Sequence, residues 1–323
     1  MGERERWGVV GGVLGAALLL ASCTSGGSGA DGPGGATPGT GTHTVRTAMG
    51  DVRVKDHPRR VVVLDTAELD SAITLGVTPV GATRAGAASA VLPYLPARRT
   101  AGIAAVGEIA NPDLEKIAAL KPDLILSNKV RDGRRYSQLS AIAPTVLTET
   151  TGYPWKRNFL VHADALGRKK QARAAVDRYR RSVTAVTEAL GGRKKAAGID
   201  VNVVRFVEGA DIRIYGRKNY IGTILADVGV GRPAVTDKAE DGFSYDVSPE
   251  RIDQADADVI FTSTYGDPDR AKVTGTTTSG LWRGLRAVRD GKVFQVDDEL
   301  WIQGIGYTAA GQILGELRTD LAP

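Results

Sequence analysis

The chain has 323 residues, 42% of them hydrophobic and 24% charged, with a formal net charge of +5 and one cysteine. This length accommodates two lobes with cores of their own, and a lone cysteine excludes any disulfide within the chain, so stability must come from packing. The mild positive balance comes without a dense Lys/Arg cluster interleaved with aromatics, which sets nucleic-acid binding aside and leaves an anionic ligand or a solvated surface.

Residues 9–20, VVGGVLGAALLL, form an apolar run of 12. That length fits the core of a secretory signal and is too short to span a bilayer, and no other run approaches the roughly 18 residues a spanning helix needs. Leu20-Ala21-Ser22-Cys23 follows at once and resembles the bacterial lipobox, which implies cleavage before Cys23 and a lipid on that cysteine. One departure is that Arg4 and Arg6 alternate with Glu3 and Glu5, so the leading segment is barely positive. Residues 24–44 hold 8 glycines in 21 positions and read as a flexible tether, with His43 in it. The mature protein is therefore expected to be exported and leashed to the extracytoplasmic face of the cell membrane.

Arg60-Val61-Val62-Val63-Leu64 reads as a strand covered on both faces. A short helix carrying Leu69, Ile73 and Leu75 closes at Gly76, and Pro79 to Ala82 gives the next strand. Strand, helix and strand with tight punctuation predict a parallel sheet with right-handed crossovers. Residues 85–102 read as irregular.

The stretch NPDLEKIAALKPDLIL (111–126) returns in degraded form as DVSPERIDQADADVIF (246–261), at an offset of 135. The copies agree at Glu115/Glu250, Ile117/Ile252, Asp123/Asp258 and Ile125/Ile260. Each copy reads as a short helix feeding a buried strand, with Asn111 as N-cap and Pro112 at the first helical position in the first, and Asp246 or Ser248 as cap in the second. Two copies in one chain of this length predict two similar α/β lobes and a cleft, since a solenoid needs at least about three.

Thr145 to Leu147 reads as a further strand. From Lys169 to Leu190 the apolar positions recur at threes and fours until Gly191-Gly192, which predicts one helix about 33 Å long. A single long helix between the repeat copies would act as a stiff brace. Beyond it, Asn202 to Val207 and Asp211 to Tyr215 read as paired strands, Ile221 to Val228 as a helix closed by Gly229, Val293 to Val296 as a late strand, and 307–318 as the last helix.

Five pieces in order, RVVVLDTAELDSAITLGVTPVGA (60–82), VGEIANPDLEKIAALKPDLIL (106–126), LSAIAPTV (139–146), VRFVEGADIRIYG (204–216) and the series Asp297, Trp301, Gly304, Ala310, carry a resemblance to the ABC-transporter substrate-binding lipoproteins with a single interlobe helix, in their ferric siderophore-binding branch. The resemblance spans nearly all of the mature chain. It implies two Rossmann-like lobes with parallel-rich sheets joined by one long helix. The resulting division is a leader at 1–22, the lipidated cysteine and tether at 23–59, the first lobe at 60–152, the interlobe helix region at 153–192 and the second lobe at 193–323. It implies no catalysis and no intrinsic cofactor. The expected protein is a monomer that captures an iron(III)-siderophore complex and delivers it to an ABC permease, a heterodimer or homodimer; a haem or corrinoid (cobalamin) binder of the same fold is the alternative.

Ligands of open α/β sheets sit beyond the carboxyl ends of the strands. Arg84 and Arg131 follow two such strands, while Arg205, Arg213 and Tyr215 lie on strands of the second lobe, the last two on one face. Guanidinium groups match the oxygens of an iron chelate with a planar fork of donors. Trp155, Trp301 and Tyr307 stand outside apolar runs and are ligand-contact candidates, Trp301 because the family places an aromatic in that loop. The family also implies that Glu115 and Glu250 dock onto permease arginines. With only His43, His57 and His162 in the chain, no histidine cluster for bare zinc or manganese is expected. Gly304-Ile305-Gly306-Tyr307-Thr308-Ala309 satisfies a dinucleotide-type G-x-G-x-x-A string, but it lies too near the chain end for the strand that should follow.

Overall fold

The computed structural model describes residues 41–85 and 91–322; Cys23, with the leader and most of the stretch read as tether, lies outside them. Described structure begins with an antiparallel hairpin, β1 (Thr42–Thr47) and β2 (Gly50–Lys55), turned at Gly50 with φ +96°. This corrects the reading of 42–55 as tether. Val45 and Val54 are buried on one face of the hairpin, a stripe too narrow to register among its Thr, Arg and Asp neighbours. His43 fixes the hairpin in place: Nδ1 lies 2.8 Å from Asp56 Oδ1, and Nε2 lies 2.9 Å from the carbonyl oxygen of Asp164.

The first lobe is a six-stranded sheet of β3 (Val61–Val63), β4 (Gly81–Arg84), β5 (Ala104–Glu108), β6 (Asn111–Pro112), β7 (Leu124–Asn128) and β8 (Thr145–Thr148). Their order is β6-β5-β4-β3-β7-β8, parallel throughout except for β6. The second lobe is a five-stranded sheet of β9 (Val201–Val207), β10 (Ile212–Tyr215), β11 (Ser244–Val247), β12 (Val259–Tyr265) and β13 (Val293–Gln295) in the order β11-β10-β9-β12-β13. There β9, β12 and β13 run parallel, and β10 is antiparallel to both of its neighbours. The principal helices are α1 (Thr66–Thr74), α2 (Leu114–Ala119), α3 (Trp155–Ala165), α4 (Lys169–Ala189), α5 (Tyr220–Val228) and α6 (Tyr307–Leu321).

Strand alternation divides the core in a regular way, because successive side chains leave opposite faces. Val61 and Val63 of β3, Leu124 and Leu126 of β7, Val201 and Val203 of β9, and Val259 and Phe261 of β12 all enter one cluster shared with α1, α3, α4, α5 and α6. Val62, Ile125 and Ile117 form a separate cluster under the first lobe, and Val204, Ile260 and Ile252 one under the second. The lobes therefore share one central core. The long interlobe helix is the 21-residue α4; α3 runs alongside it, and both feed the shared core.

The repeat has a direct physical reading. In each lobe its strand pairs with the lobe's first parallel strand, β7 with β3 and β12 with β9. Ile117 and Ile252 are fully buried, as are Ile125 and Ile260. Asp123 accepts the backbone N–H of Arg59 and Arg60 ahead of β3, and Asp258 accepts that of Asp200 ahead of β9, so each aspartate pins the start of its lobe's leading strand. Capping departs from expectation. The N-cap of α2 is Asp113, which accepts from Lys116 N–H at 3.0 Å, because Asn111 and Pro112 are spent on β6. The second copy is a 3-10 turn, Pro249–Ala255, entered from Ser248.

Candidate functional site

A cleft of about 920 Å³ opens between the lobes. One wall is made by Asp65 and Thr66 at the end of β3 and by Arg131 after β7; the other by Arg205, Arg213, Tyr215, Phe243 and Tyr265. Residues 149–154, which follow β8, and Ile302, Gln303 and Ile305 complete the lining. On the first lobe, and at β9 and β12, these groups lie where parallel strands end, the position at which open α/β sheets bind ligands.

On the second wall Arg213 of β10 sits directly opposite Arg205 of β9, and Asp246 of β11 directly opposite Arg213. Two guanidinium groups side by side repel each other, so each has its own carboxylate. Arg205 is held fork-to-fork by Asp298, Nε to Oδ1 at 2.6 Å and Nη2 to Oδ2 at 2.5 Å, and Asp298 also accepts from Ser263 Oγ and Gln303 Nε2. Burial works against the charge of Arg205, yet the hydrogen-bonded Asp298 more than offsets it and leaves this guanidinium above the usual arginine value. Arg213 donates to Asp246 from Nε at 3.1 Å, which raises it as well. Tyr265 covers the Arg205 guanidinium at 4.6 Å from ring centroid, and Phe243 that of Arg213 at 5.9 Å. Both rings are 42% exposed, apolar surface left open at a cleft mouth. Burial pushes the Tyr215 phenol up, against the pull of the two arginines beside it.

On the facing wall Arg131 Nε donates to Asp65 Oδ2 at 3.1 Å, and Asn128 Nδ2 donates to the same oxygen at 3.1 Å. Asp65 also caps α1 through the Thr66 N–H at 2.7 Å. Burial, and after it the charge of Glu68, holds the Asp65 carboxyl above the usual range. Arg157 and Lys218 reach the cleft with no ion pair among the described residues. The arrangement is a cation-lined, aromatic-rimmed cavity in which the first lobe presents Arg131, the second presents Arg205 and Arg213, and α3 adds Arg157.

Arg131, Arg205, Arg213 and Tyr215 are thus brought together. Arg84 is exposed at the end of β4, one residue from the lining residue Ala85, and is not itself in the lining. The aromatic expectations are corrected. Trp301 is fully buried, stacks on Phe261 at 4.6 Å and donates Nε1–H to Glu316. Trp155 donates Nε1–H to Thr223 and packs edge-on against Tyr307, Tyr179 and Tyr220 inside the shared core. Trp155 stands between Pro154 and Lys156 and gave no hint that its ring turns inward, whereas the apolar Leu300 and Ile302 that flank Trp301 were a signal outweighed by the polar residues around them. Reading the sequence missed Asp65, Tyr153, Phe243, Tyr265 and Asp298; the available signal was an aromatic next to glycine at a strand boundary, as in Gly242-Phe243 and Tyr265-Gly266.

The glycines of the G-x-G-x-x-A string serve packing, since a Cβ on Gly306 would lie 2.1 Å from Asp70 Oδ1 and one on Gly304 2.7 Å from the carbonyl oxygen of Leu300. Glu115 and Glu250 are both exposed, one in each lobe. The Ser248 hydroxyl holds Glu250 below the usual carboxylate range, and the Glu115 side chain has no ion pair or hydrogen bond among the described residues.

A family model described as "Periplasmic binding protein" matches residues 61–300. The chain is 34% identical over 315 residues to the probable siderophore-binding lipoprotein YfiY of Bacillus subtilis (strain 168), the match covering 94% of each. It is 26% identical to the Fe(3+)-citrate-binding protein YfmC of the same organism, over 88% of this chain and 87% of that one. The crystal structure of Staphylococcus aureus SirA complexed with staphyloferrin B matches with a TM-score of 0.78 at 32% identity, covering 87% of this chain and 98% of that one. On a two-lobed fold with an interlobe cleft, a family match across most of the sequence and these relatives, the chain belongs to the periplasmic binding protein family, in the siderophore-binding branch of the ABC-transporter substrate-binding proteins.

Proposed function

We propose that the protein captures an iron(III)-siderophore complex in the interlobe cleft and delivers it to an ABC permease for iron uptake. The observation that carries this reading is the convergence of Arg205 and Arg213 from one lobe and Arg131 from the other on one cleft. Three guanidinium forks suit an anionic chelate rich in carboxylate oxygens. Relatives that bind Fe(3+)-citrate and staphyloferrin B support the same chemistry. In this reading the iron arrives already chelated, and the open rings of Phe243, Tyr265 and Tyr153 cover the organic part of the complex. Mixing with ferric citrate and with ferric hydroxamates, followed by gel filtration, should carry the coloured chelate with the protein. Co-elution of haem or cobalamin instead would replace this reading with the other.

The reading extends to a monomeric, non-catalytic protein anchored through Cys23 on the extracytoplasmic face of the membrane. Glu115 and Glu250 are its permease contacts. Of the four residue pairs the repeat preserves, the isoleucines fill cores and the aspartates pin strands, which leaves the exposed glutamates as the pair the fold does not use. Glu115→Ala with Glu250→Ala should leave chelate affinity intact and abolish uptake in cells; uptake that persists would move the docking surface elsewhere.

A further inference from the structure

The net charge of +5 conceals a strong asymmetry. Residues 168–195 carry ten Lys/Arg and two Asp/Glu, a net of +8, so the rest of the chain sums to −3. The cations lie on the exposed side of α4 and on the short helix Arg193–Ala196 beyond it. Most are unused by the fold. Lys169 pairs with Asp164, Arg180 with Asp177, and Arg193 donates to the carbonyl oxygen of Asp227, whereas Lys170, Arg173, Arg178, Arg181, Lys194 and Lys195 have no ion-pair or side-chain hydrogen-bond partner among the described residues.

Helix stability does not account for this placement. Arg168, Lys169 and Lys170 crowd the N-terminus of α4, whose first turn contains no acidic residue and whose N-cap side chain makes no capping bond. Positive charge at that end opposes the helix dipole, so the local energetics favour the opposite sign.

The path of the chain supplies the second observation. Described structure begins at Gly41, whose carbonyl oxygen accepts from Asp56 N–H at 3.0 Å. Asp56 binds His43, His43 binds Asp164, and Asp164 binds Lys169 at 2.7 Å. The same junction is tight at Gly167, where a Cβ would lie 1.9 Å from the Asp56 carbonyl oxygen. The segment leading from Cys23 therefore enters the folded body beside the basic end of α4. Cys23 is 18 residues before Gly41, a reach of at most about 65 Å.

From this charge and this point of attachment we infer that the exposed face of α4 and the following short helix is a docking surface for an anionic phospholipid bilayer, the membrane to which the chain is expected to be anchored. Basic side chains near such a surface each add attraction, and a lipid-anchored protein gains stable seating from a polybasic face as its second signal. The face is separate from both other surfaces. Chelate is held by residues of β9, β10 and the first lobe's strand ends, while Glu115 and Glu250 stand on elements that pack against β5, β10 and β11. A protein seated on α4 would be the resting form, kept close to the membrane between encounters with a permease.

The inference takes only its setting from the anchored reading, and the test does not need the anchor. The mature chain, residues 23–323 carrying Cys23→Ser, is sedimented with phosphatidylglycerol vesicles and with phosphatidylcholine vesicles at low salt. Binding is expected to the first only, to vanish at high salt, and to fall on the order of a hundredfold in Lys170→Gln/Arg173→Gln/Arg181→Gln, at about fivefold per basic residue removed, with chelate binding unchanged. Lys194→Glu/Lys195→Glu, outside the long helix, should lower it in the same direction and keeps the test open should the triple variant fail to fold. Equal binding to both vesicles, or undiminished binding in the variants, overturns the inference. So does capture of inorganic polyphosphate in preference to vesicles, which would make the face a site for a soluble polyanion.

Discussion

Arg205 and Arg213 face the same cleft but should respond to mutation in opposite ways. The Arg205 side chain is 11% exposed and its partner Asp298 8%, so truncating the arginine leaves a buried carboxylate with only Ser263 and Gln303 to satisfy it. Breaking such a pair from one side costs about 3–5 kcal/mol. For a chain of this size that corresponds to a melting temperature lowered by about 6–15 °C. Arg213 is 28% exposed beside an Asp246 that is 46% exposed, and a pair this open is worth about 0–1 kcal/mol. Arg213→Ala should therefore melt within about 2 °C of the parent. It should still lose affinity for an anionic ferric chelate by about 10- to 150-fold, the value of a hydrogen bond to a charged group. The assay is thermal melting alongside equilibrium dialysis against ferric citrate for both variants. Arg205→Met/Asp298→Leu, which removes both charges, should recover most of the melting temperature while remaining binding-deficient. If Arg205→Ala melts like the parent, or Arg213→Ala melts as low as Arg205→Ala is expected to, the division of the two arginines into buried and open pairs is wrong.

Asp70→Asn should destabilise the fold by about 2–4 kcal/mol in denaturant melts, because Oδ1 accepts from Thr308 N–H and Oδ2 from Ala309 N–H, and an amide must turn its NH₂ toward one of these donors. Gly306→Ala should fail by a different route, its added methyl meeting the Asp70 carboxylate, and should express poorly or melt several degrees lower. Asp65 has a folded pKa above the ordinary carboxylate value, so acidification protonates it sooner than an exposed aspartate and weakens its hold on Arg131. Affinity for a chelate that itself stays ionised should rise as pH falls toward that raised value, and Asp65→Asn should abolish this dependence; an identical pH profile in the variant would separate Arg131 from ligand binding.

The fold was largely legible because its strands are continuous apolar runs and its longest helix has an unbroken period. Val61 to Val63 and Val259 to Phe261 can only be buried strands, and the spacing from Ala172 to Leu190 can only be a helix. The hairpin at 42–55 was not legible, since two buried valines among threonines and arginines look like the tether before them. In the cleft the arginines could be found because a cation on a strand needs a reason. Their carboxylates could not, because Asp298 is 93 residues from Arg205 and Asp65 is 66 from Arg131, distances that only the folded topology closes. Trp301 misled for the same reason: only Leu300 and Ile302 beside it are apolar within a polar stretch, and the neighbour in space that buries it, Phe261, is 40 residues away.

The last helix has a consequence for the order in which this protein can come into being. α6 lies at the chain's end, yet Ile313, Leu314 and Leu317 fill the central core, and its first peptide N–H groups are bound by Asp70 from the beginning of the first lobe. The first lobe therefore cannot complete its core until residues 307–321, more than 200 positions after Asp70, have docked onto it. The early segments remain unable to lock until then, and completion of both lobes becomes one shared late step set by the docking of α6. Contacts spanning more than 200 residues are slow to form, so that docking should be the slowest step of folding and the one during which the chain is most open to proteolysis.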